Sequence, residues 1–107
     1  MALTSHQRQH LKALAHPLKP LVQVGTAGIT EGLIGAVGEA LHRHELIKVQ
    51  LPKLEAAGER EAMAELIVEQ SGAELVQLLG RMVILYLARK QDLPGKPRIE
   101  LPKPKAK

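Results

Sequence analysis

The chain has 107 residues, a common length for a single domain, and 45% of them are apolar, which is typical of a folded protein. It contains no cysteine, which excludes disulfides, thiolate metal sites and cysteine nucleophiles. Tyr86 is the only aromatic residue, so the core must be aliphatic. No apolar run reaches the ~18 residues that a membrane helix needs, and the polar N-terminus does not resemble a secretory signal. We therefore expect a cytoplasmic protein.

The net charge of +4 is distributed unevenly along the chain. Residues 1–30 contain three basic residues and no acid, residues 31–79 contain nine acids and four bases, and residues 80–107 contain eight bases and two acids. Basic ends around an acidic middle indicate a polyanion as the partner of one surface. A basic surface that is simply solvated would have the same composition, so charge alone does not decide between the two.

The first element is predicted to be a helix over residues 4–15. Thr4 or Ser5 can cap this helix, and Thr4 can form a capping box with Gln7. Arg8 and Lys12 lie four residues apart and therefore share one helical face.

A β-α-β unit is predicted to follow. Leu18 to Val24 is rich in valine and leucine, which favours a strand. Thr30 can then cap a helix that continues to about His44, and the alternating stretch from Leu46 to Leu51 predicts a second strand. The two strands of such a unit are parallel.

The second half is predicted to form a helix from Glu59 to Ser71 and then a hairpin. The strands Leu75 to Leu79 and Met82 to Ala88 flank the pair Gly80-Arg81, which is typical of a type II′ turn, and the run MVILYLA predicts a strand buried on both faces. The helix is predicted to end at Gly72. Its predicted inner face consists of Ala62, Met63, Leu66 and Ile67, and its outer face carries Glu61, Glu65 and Glu69.

The element order α-β-α-β-α-β-β predicts a two-layer α/β domain with a four-stranded mixed sheet. We assign residues 1–92 to this domain and residues 93–107 to a basic tail rich in proline and lysine. Within that tail, Ile99 and Leu101 could still pack as a short edge strand.

Enzyme chemistry finds little support in the residues. Asp92 is the only aspartate, neither serine lies in a nucleophile elbow, and the glutamates mostly share one solvated helix face. His6 and His10 are spaced as a metal pair, but a closed site needs three or four ligands. We therefore expect no catalytic site, metal, cofactor or small-molecule substrate.

The glycine loop Gly25-Thr26-Ala27-Gly28 joins the first strand to the second helix. It is neither a dinucleotide fingerprint nor a P-loop, and a tight turn alone would explain the pattern. However, free N–H groups at a helix N-terminus favour a phosphate, and KH domains clamp RNA with a G-x-x-G loop, there between two helices. We therefore predict that backbone N–H groups from Gly25 to Ile29 hold a phosphate. The surrounding charge would come from basic side chains, namely Arg8, Lys12, Lys19, Arg81 and Arg89.

Several blocks of the sequence together resemble the CRM domain (chloroplast RNA splicing and ribosome maturation) in its stand-alone bacterial YhbY-like form. These blocks are HQRQHLKALAHPLKPLVQVG, GTAG followed by ITEGLIGAV, HELIKVQL and GAELVQLLGRMVILY, and they cover about residues 3–89. The resemblance implies a fold related to the C-terminal domain of translation initiation factor three. It also implies RNA binding through the glycine loop, and association with precursors of the large ribosomal subunit during their maturation.

The sequence thus predicts a non-enzymatic protein whose partner is ribosomal RNA or a large-subunit precursor. A protein–protein adaptor remains the alternative. In that case the acidic third helix would be the docking face, and the glycine loop would serve only as a turn.

Overall fold

The computed structural model describes residues 3–25, 27–54, 56–88 and Ile99. The element order is α-β-α-β-α-β-β, as the sequence predicts. In chain order the elements are α1 (Ser5–Ala15), β1 (Val22–Gln23), α2 (Glu31–His44), β2 (Leu46–Gln50), α3 (Glu59–Ser71), β3 (Glu74–Leu79) and β4 (Met82–Tyr86).

The helix ends follow the local sequence closely. Thr4 caps α1 in a reciprocal capping box: its hydroxyl accepts the Gln7 N–H at 3.1 Å, and its own N–H donates to the Gln7 side chain at 3.0 Å. Thr30 caps α2 by accepting the Leu33 N–H at 3.1 Å. Gly72 ends α3 in the left-handed conformation, at a φ of 77°.

The four strands form one mixed sheet in the order β1-β2-β4-β3. Strand β1 pairs parallel with β2, while the β2–β4 and β4–β3 pairs are antiparallel. The tight turn between β3 and β4 has a φ of 58° at Gly80, and Arg81 is not among the described residues with positive φ, as a type II′ turn requires. The mixed four-stranded sheet and the hairpin are confirmed.

Helices cover both faces of the sheet. Helices α2 and α3 enclose the larger core cluster, to which β2 contributes Ile47 and Val49. Helix α1 covers the other face, where Leu46, Ile84 and Tyr86 belong to a smaller cluster. Helix α1 thus adds a third layer to the two that the sequence predicts. The apolar run of β4 requires this layer, because successive side chains of a strand point to opposite faces.

Strand β1 is shorter than the predicted strand from Leu18 to Val24. Proline lacks a backbone N–H, so Pro20 cannot donate to the ladder. The ladder therefore starts at Leu21, whose N–H donates to the Lys48 carbonyl at 3.1 Å. It ends where the Val24 N–H donates to the Gln50 carbonyl at 2.8 Å.

The inner face of α3 differs in part from the predicted one. Ile67 is buried and Met63 is half-buried, but Ala62 is exposed and Leu66 is 38% exposed, and Ala64 is buried instead. The apolar side chains of this helix are spread around much of its circumference, so the sequence defines no single apolar face. Packing against the sheet determines which of these side chains are buried. The predicted outer face is confirmed, because its three glutamates are exposed, namely Glu61, Glu65 and Glu69.

Glu45 connects α2 to β2 and also contacts the chain beyond β4. It has a φ of 62° and is only 1% exposed. Its carbonyl accepts the Leu87 N–H at 2.8 Å, and its carboxylate accepts the Ile99 N–H at 2.5 Å. Ile99 also packs against the smaller core cluster. The predicted domain boundary at residue 92 and the predicted contact of Leu101 lie outside the described residues.

The single tyrosine allows a test of the α1 side of the core. Tyr86 is 5% exposed, and burial raises the pKa of its phenol above the usual 10.0, with a further increase from the Glu45 carboxylate. Because the pKa is higher in the folded state, the stabilisation is complete below a pH of about 10 and is lost as the pH rises through the folded-state value. We expect the unfolding free energy to fall across this alkaline range, and to fall less in Tyr86→Phe.

Denaturant unfolding at a series of pH values measures this effect. The near-ultraviolet absorbance of tyrosinate reports the titration directly, because no other aromatic residue is present. Equal alkaline slopes for the two proteins would contradict the expectation.

Candidate nucleic-acid interface

The glycine loop lies at the end of the sheet where β1 passes into α2. The Gly28 N–H, one of those predicted to hold a phosphate, instead donates to the Gly25 carbonyl at 3.0 Å, which closes a tight turn. Gly25 and Ala27 are exposed, while Ile29 is half-buried and packs against the larger core cluster. Thr26 lies outside the described residues. Ile29 therefore anchors the loop, while Gly25 and Ala27 face solvent.

The two glycines of the loop meet different requirements. Gly28 has a φ of 75°, in the left-handed region that side chains disfavour, so the turn itself requires a glycine there. Gly25 does not have a positive φ, and a Cβ atom at this position would meet nothing within 4 Å. The turn explains Gly28 but not Gly25. The absence of a side chain at Gly25 leaves the backbone open to approach from outside.

The N-terminus of α2 adjoins this open backbone. The first N–H groups of a helix have no acceptor within the helix, and here the Thr30 hydroxyl accepts only that of Leu33. Among the described hydrogen bonds, none involves the N–H groups of Glu31 or Gly32. Both residues are exposed, and Gly32 has no side chain. This arrangement can accept an anion, since both the N–H groups and the helix dipole favour negative charge.

The β3–β4 turn lies at the same end of the sheet as the glycine loop. The Val24 N–H donates to the Gln50 carbonyl. Leu51, which follows Gln50 in the chain, donates its N–H to the Arg81 carbonyl at 2.7 Å. Arg81, predicted as a site residue, is exposed here. Arg60 is not among the predicted site residues, because it lies within the acidic helix α3. Its Nη1 donates to the Gly80 carbonyl at 3.0 Å.

Acidic residues also lie at this end of the molecule. Glu31 is in the first turn of α2, and Glu59 and Glu61 are in the first turn of α3. All three are exposed. The electrostatic potential at the loop therefore has contributions of both signs. If an anion binds there, the attraction of the local N–H groups and arginines must exceed the repulsion from these carboxylates.

The predicted basic residues of α1 form a second group. This group lies on the face of the sheet opposite α2 and α3. Arg8 is half-buried, and its Nε donates to the Leu75 carbonyl at 3.1 Å. Lys12 is half-buried one turn later. Lys48, which the sequence analysis placed only within a strand, joins this group because its Nζ donates to the His16 carbonyl at 3.3 Å. The α1 cations therefore do not surround the glycine loop directly.

The two remaining predicted cations are Lys19 and Arg89. Lys19 is exposed in the connection from α1 to β1 and lines an apolar groove with Leu18, Leu21 and Ile99. Arg89 lies outside the described residues. Within the part of the chain that the structure describes, no three His, Cys, Asp or Glu residues come together as metal ligands, and no helix is long and apolar enough to cross a membrane.

The two loop glycines should respond differently to alanine. Gly28→Ala forces a side chain into the left-handed region, so we expect a loss of about 1–2 kcal/mol in unfolding free energy. Gly25→Ala meets neither strain nor a neighbour, so its unfolding free energy should stay within about 0.5 kcal/mol of the parent. Denaturant unfolding of both variants measures the difference. Equal losses would show that Gly25 also serves the turn.

Comparison with known proteins agrees with this architecture. The family model for the CRS1/YhbY (CRM) domain matches residues 3–86. The probable RNA-binding protein PA4753 of Pseudomonas aeruginosa is 41% identical over 96 residues, which are 90% of this chain and 89% of that protein. The probable RNA-binding protein YqeI of Bacillus subtilis is 36% identical over 100 residues, which are 94% of this chain and 99% of that protein.

A solved structure has the same fold. The solution structure of SAV1595 from Staphylococcus aureus, a hypothetical protein described as a candidate RNA-binding protein, superposes with a TM-score of 0.76 at 35% sequence identity. The match covers 94% of this chain and 99% of that chain. The family model covers most of the chain, and the relatives match it over nearly their whole length. The chain therefore belongs to the CRS1/YhbY (CRM) domain family.

Proposed function

We propose that this protein binds RNA and holds a backbone phosphate at the glycine loop, and that its partner is ribosomal RNA in precursors of the large ribosomal subunit. One observation carries the loop assignment: Gly25 is exposed and its turn does not need a glycine, yet it stands beside the open N-terminus of α2. The relatives named as RNA-binding proteins support RNA as the ligand.

The loop offers a phosphate three kinds of attraction. The backbone N–H groups of Glu31 and Gly32 can donate to phosphate oxygens. The α2 dipole places roughly half a positive charge at the same point. Arg81, exposed at the same end of the sheet, adds a side chain whose planar guanidinium suits phosphate. None of these contacts reads a base, so the loop fixes position and contributes affinity rather than sequence preference.

The cations on the α1 side extend the positive surface. Lys12 and Lys48 have flexible ammonium groups that can follow a phosphate backbone. The guanidinium of Arg8 is held in place by the Leu75 carbonyl through its Nε. An RNA strand that bound at both groups would neutralise phosphates at two places on the protein, which would make its affinity strongly dependent on salt.

The assignment to large-subunit precursors comes from the resemblance to stand-alone YhbY-like proteins. Crosslinking the protein to RNA in cells and sequencing the attached RNA tests it. Enrichment of large-subunit ribosomal RNA and its precursor sequences is the expected result. Copurification of polypeptides that survives nuclease treatment, without RNA enrichment, would instead favour docking through the acidic face of α3.

A double substitution tests the glycine loop. In Thr26→Asp/Ala27→Asp two carboxylates would repel the phosphate and compete for its N–H donors. We expect RNA affinity to fall more than tenfold, or about 1.4 kcal/mol, and the log–log salt slope to become shallower by about one. For the parent, about four neutralised phosphates give a slope near −3 to −4. Fluorescence anisotropy with structured RNA over a salt series measures both quantities.

The matched control for this variant is Ala62→Glu/Gln70→Glu. It adds the same two charges on the exposed face of α3, which packs on the other side of the sheet from α1. We expect it to bind RNA nearly as the parent does. If both variants lose affinity equally, net charge would explain the loss and the loop would not be the site.

Glu31 provides a test in the opposite direction. Its carboxylate lies in the first turn of α2, where it competes with a bound phosphate for the same positive end. We expect Glu31→Gln to raise RNA affinity about two- to threefold while lowering stability by about 0.3–1 kcal/mol, since the helix dipole loses an acidic partner. Glu39→Gln, exposed two turns further along α2, should leave affinity nearly unchanged. Equal gains for the two variants would argue against a phosphate at the helix end.

A further inference from the structure

None of the helices that the structure describes covers one part of the sheet on the α1 side, beside the glycine loop. Pairing between the strands aligns one residue from each of the four: Gln23 with Gln50, Gln50 with Met82, and Met82 with Leu79. We call these four residues the open row. Their neighbours along the strands, Val22, Val49, Val83 and Leu78, pack into the core under α2 and α3. The open row therefore points to the opposite face, the one that α1 covers further along the sheet.

Helix α1 does not extend over the open row. It packs against Leu46, Ile84 and Tyr86, and its cluster includes none of the four residues. Gln23 is exposed, Gln50 and Met82 are half-buried, and Leu79 is 63% exposed. Leu79 is the most exposed large apolar side chain in the part of the chain that the structure describes. Adjacent strands lie about 4.8 Å apart, so the four side chains span about 14 Å across the sheet.

The basic flank of α1 borders the open row. Leu11 faces the sheet, and Leu14 on one flank of the helix contacts the apolar groove beside His44 and Ile99, at the end of the sheet away from the loop. Helical geometry places Lys12 on the other flank, which faces the loop end. Lys48 lies on the same face of β2 as Gln50, two residues earlier, and is half-buried.

The open row thus lies between two positive groups. Arg81 and the glycine loop border it at one edge, and Lys12 and Lys48 border it at the other. The row itself contains no carboxylate. A nucleic-acid strand whose phosphates contact both groups must cross these four side chains, so the charge on the two sides complements that strand.

The side chains of the row suit an unpaired base. The Gln23 Nε2 donates to the Gln50 Oε1 at 3.1 Å, and this hydrogen bond holds both amides in place. The pair retains further donor and acceptor capacity that can meet a base edge. Met82 and Leu79 supply an apolar surface for the face of a base, and the polarisable thioether of methionine favours contact with aromatic rings. A base that is paired within a duplex offers neither its Watson–Crick edge nor its stacked face to such a surface.

We propose that the open row holds an unpaired nucleobase of the RNA strand whose phosphate lies at the glycine loop. The proposal rests on the proposed function and adds a ligand class to it: single-stranded segments are preferred over duplex. Because the open row contains no aromatic ring and the single tyrosine is buried, this contact is aliphatic and amide-based rather than a stacking platform.

The test compares two exposed substitutions in the row, Leu79→Ser and Gln23→Ala, combined in one variant. The matched control combines Leu66→Ser and Gln70→Ala, an exposed leucine and an exposed glutamine on α3. The probes are a short single-stranded RNA, the same RNA with its bases removed at successive positions, and a duplex of equal length. Anisotropy over a salt series measures each affinity, and denaturant unfolding checks that both variants remain folded.

We expect the row variant to lose about fivefold or more in affinity for the single strand, with an unchanged salt slope because no phosphate contact is removed. The parent should discriminate against RNA that lacks bases, and the row variant should not. Duplex binding should be weaker and equal in both proteins, and the control variant should behave as the parent.

The measurements distinguish failure of the base contact from failure of the proposed function. If the row variant discriminates against base-free RNA as the parent does, while the loop variant Thr26→Asp/Ala27→Asp loses binding, the base contact is overturned and the proposed function stands. If the parent binds no RNA at all, both are overturned. If the row variant keeps its RNA affinity but loses a copurifying polypeptide, the row is a protein-docking surface and the proposal falls.

Discussion

The burial of the central strands on both faces is the constraint on which the rest of the structure depends. Strand β4 lies between β2 and β3, and its residues from Val83 to Tyr86 are buried. Water cannot satisfy the polar groups of a buried strand, so β4 must be paired along both edges. Its side chains must also be covered on both faces, which requires α1 on one side and α2 with α3 on the other.

The position of the candidate site follows from the same pairing. Because β1 and β2 are parallel and β2 is antiparallel to β4, the end of β1, the end of β2 and the start of β4 meet at one end of the sheet. The glycine loop and the turn that contains Arg81 are brought together there, although more than fifty residues separate them in the sequence. The core is aliphatic and well covered, so the backbone of the loop can be open without loss of packing.

The loop end of the sheet and its α1 face together present parts with different chemistry. A backbone site with a helix dipole lies at one edge, flexible cations lie at the other, and amides with aliphatic side chains lie between them. Phosphate contacts contribute affinity without information about the bases, whereas contacts to bases contribute preference. The protein has no Phe or Trp and its single Tyr is buried, so it lacks the exposed Phe, Tyr and Trp rings on which single-strand binders commonly stack bases. Its sheet can still present amides and a thioether, and the strand register places them in one row.

Local signals in the sequence determined the element order, the caps at Thr4 and Thr30, the left-handed stop at Gly72, the hairpin at Gly80-Arg81 and the family. Each depends on residues a few positions apart, whose conformational preferences act before the chain is packed. The sequence also located the glycine loop, and the strand pairing shows that Arg81 lies at the same end of the sheet. What it could not assign was the reason for each glycine, since the φ values of Gly25 and Gly28 depend on the closed turn.

Only the tertiary structure decided which helix covers which face, which apolar residues of α3 are inside, and which cations are neighbours. It separated Arg8 and Lys12 from the loop, added Lys48 and Arg60 to the two positive groups, and brought Ile99 to the carboxylate of Glu45. Strand pairing and helix packing join residues that are distant in sequence, and periodicity within one element carries no information about its partners. The open row exists for the same reason: four residues from four strands become a surface only when the register is set and α1 stops short of them.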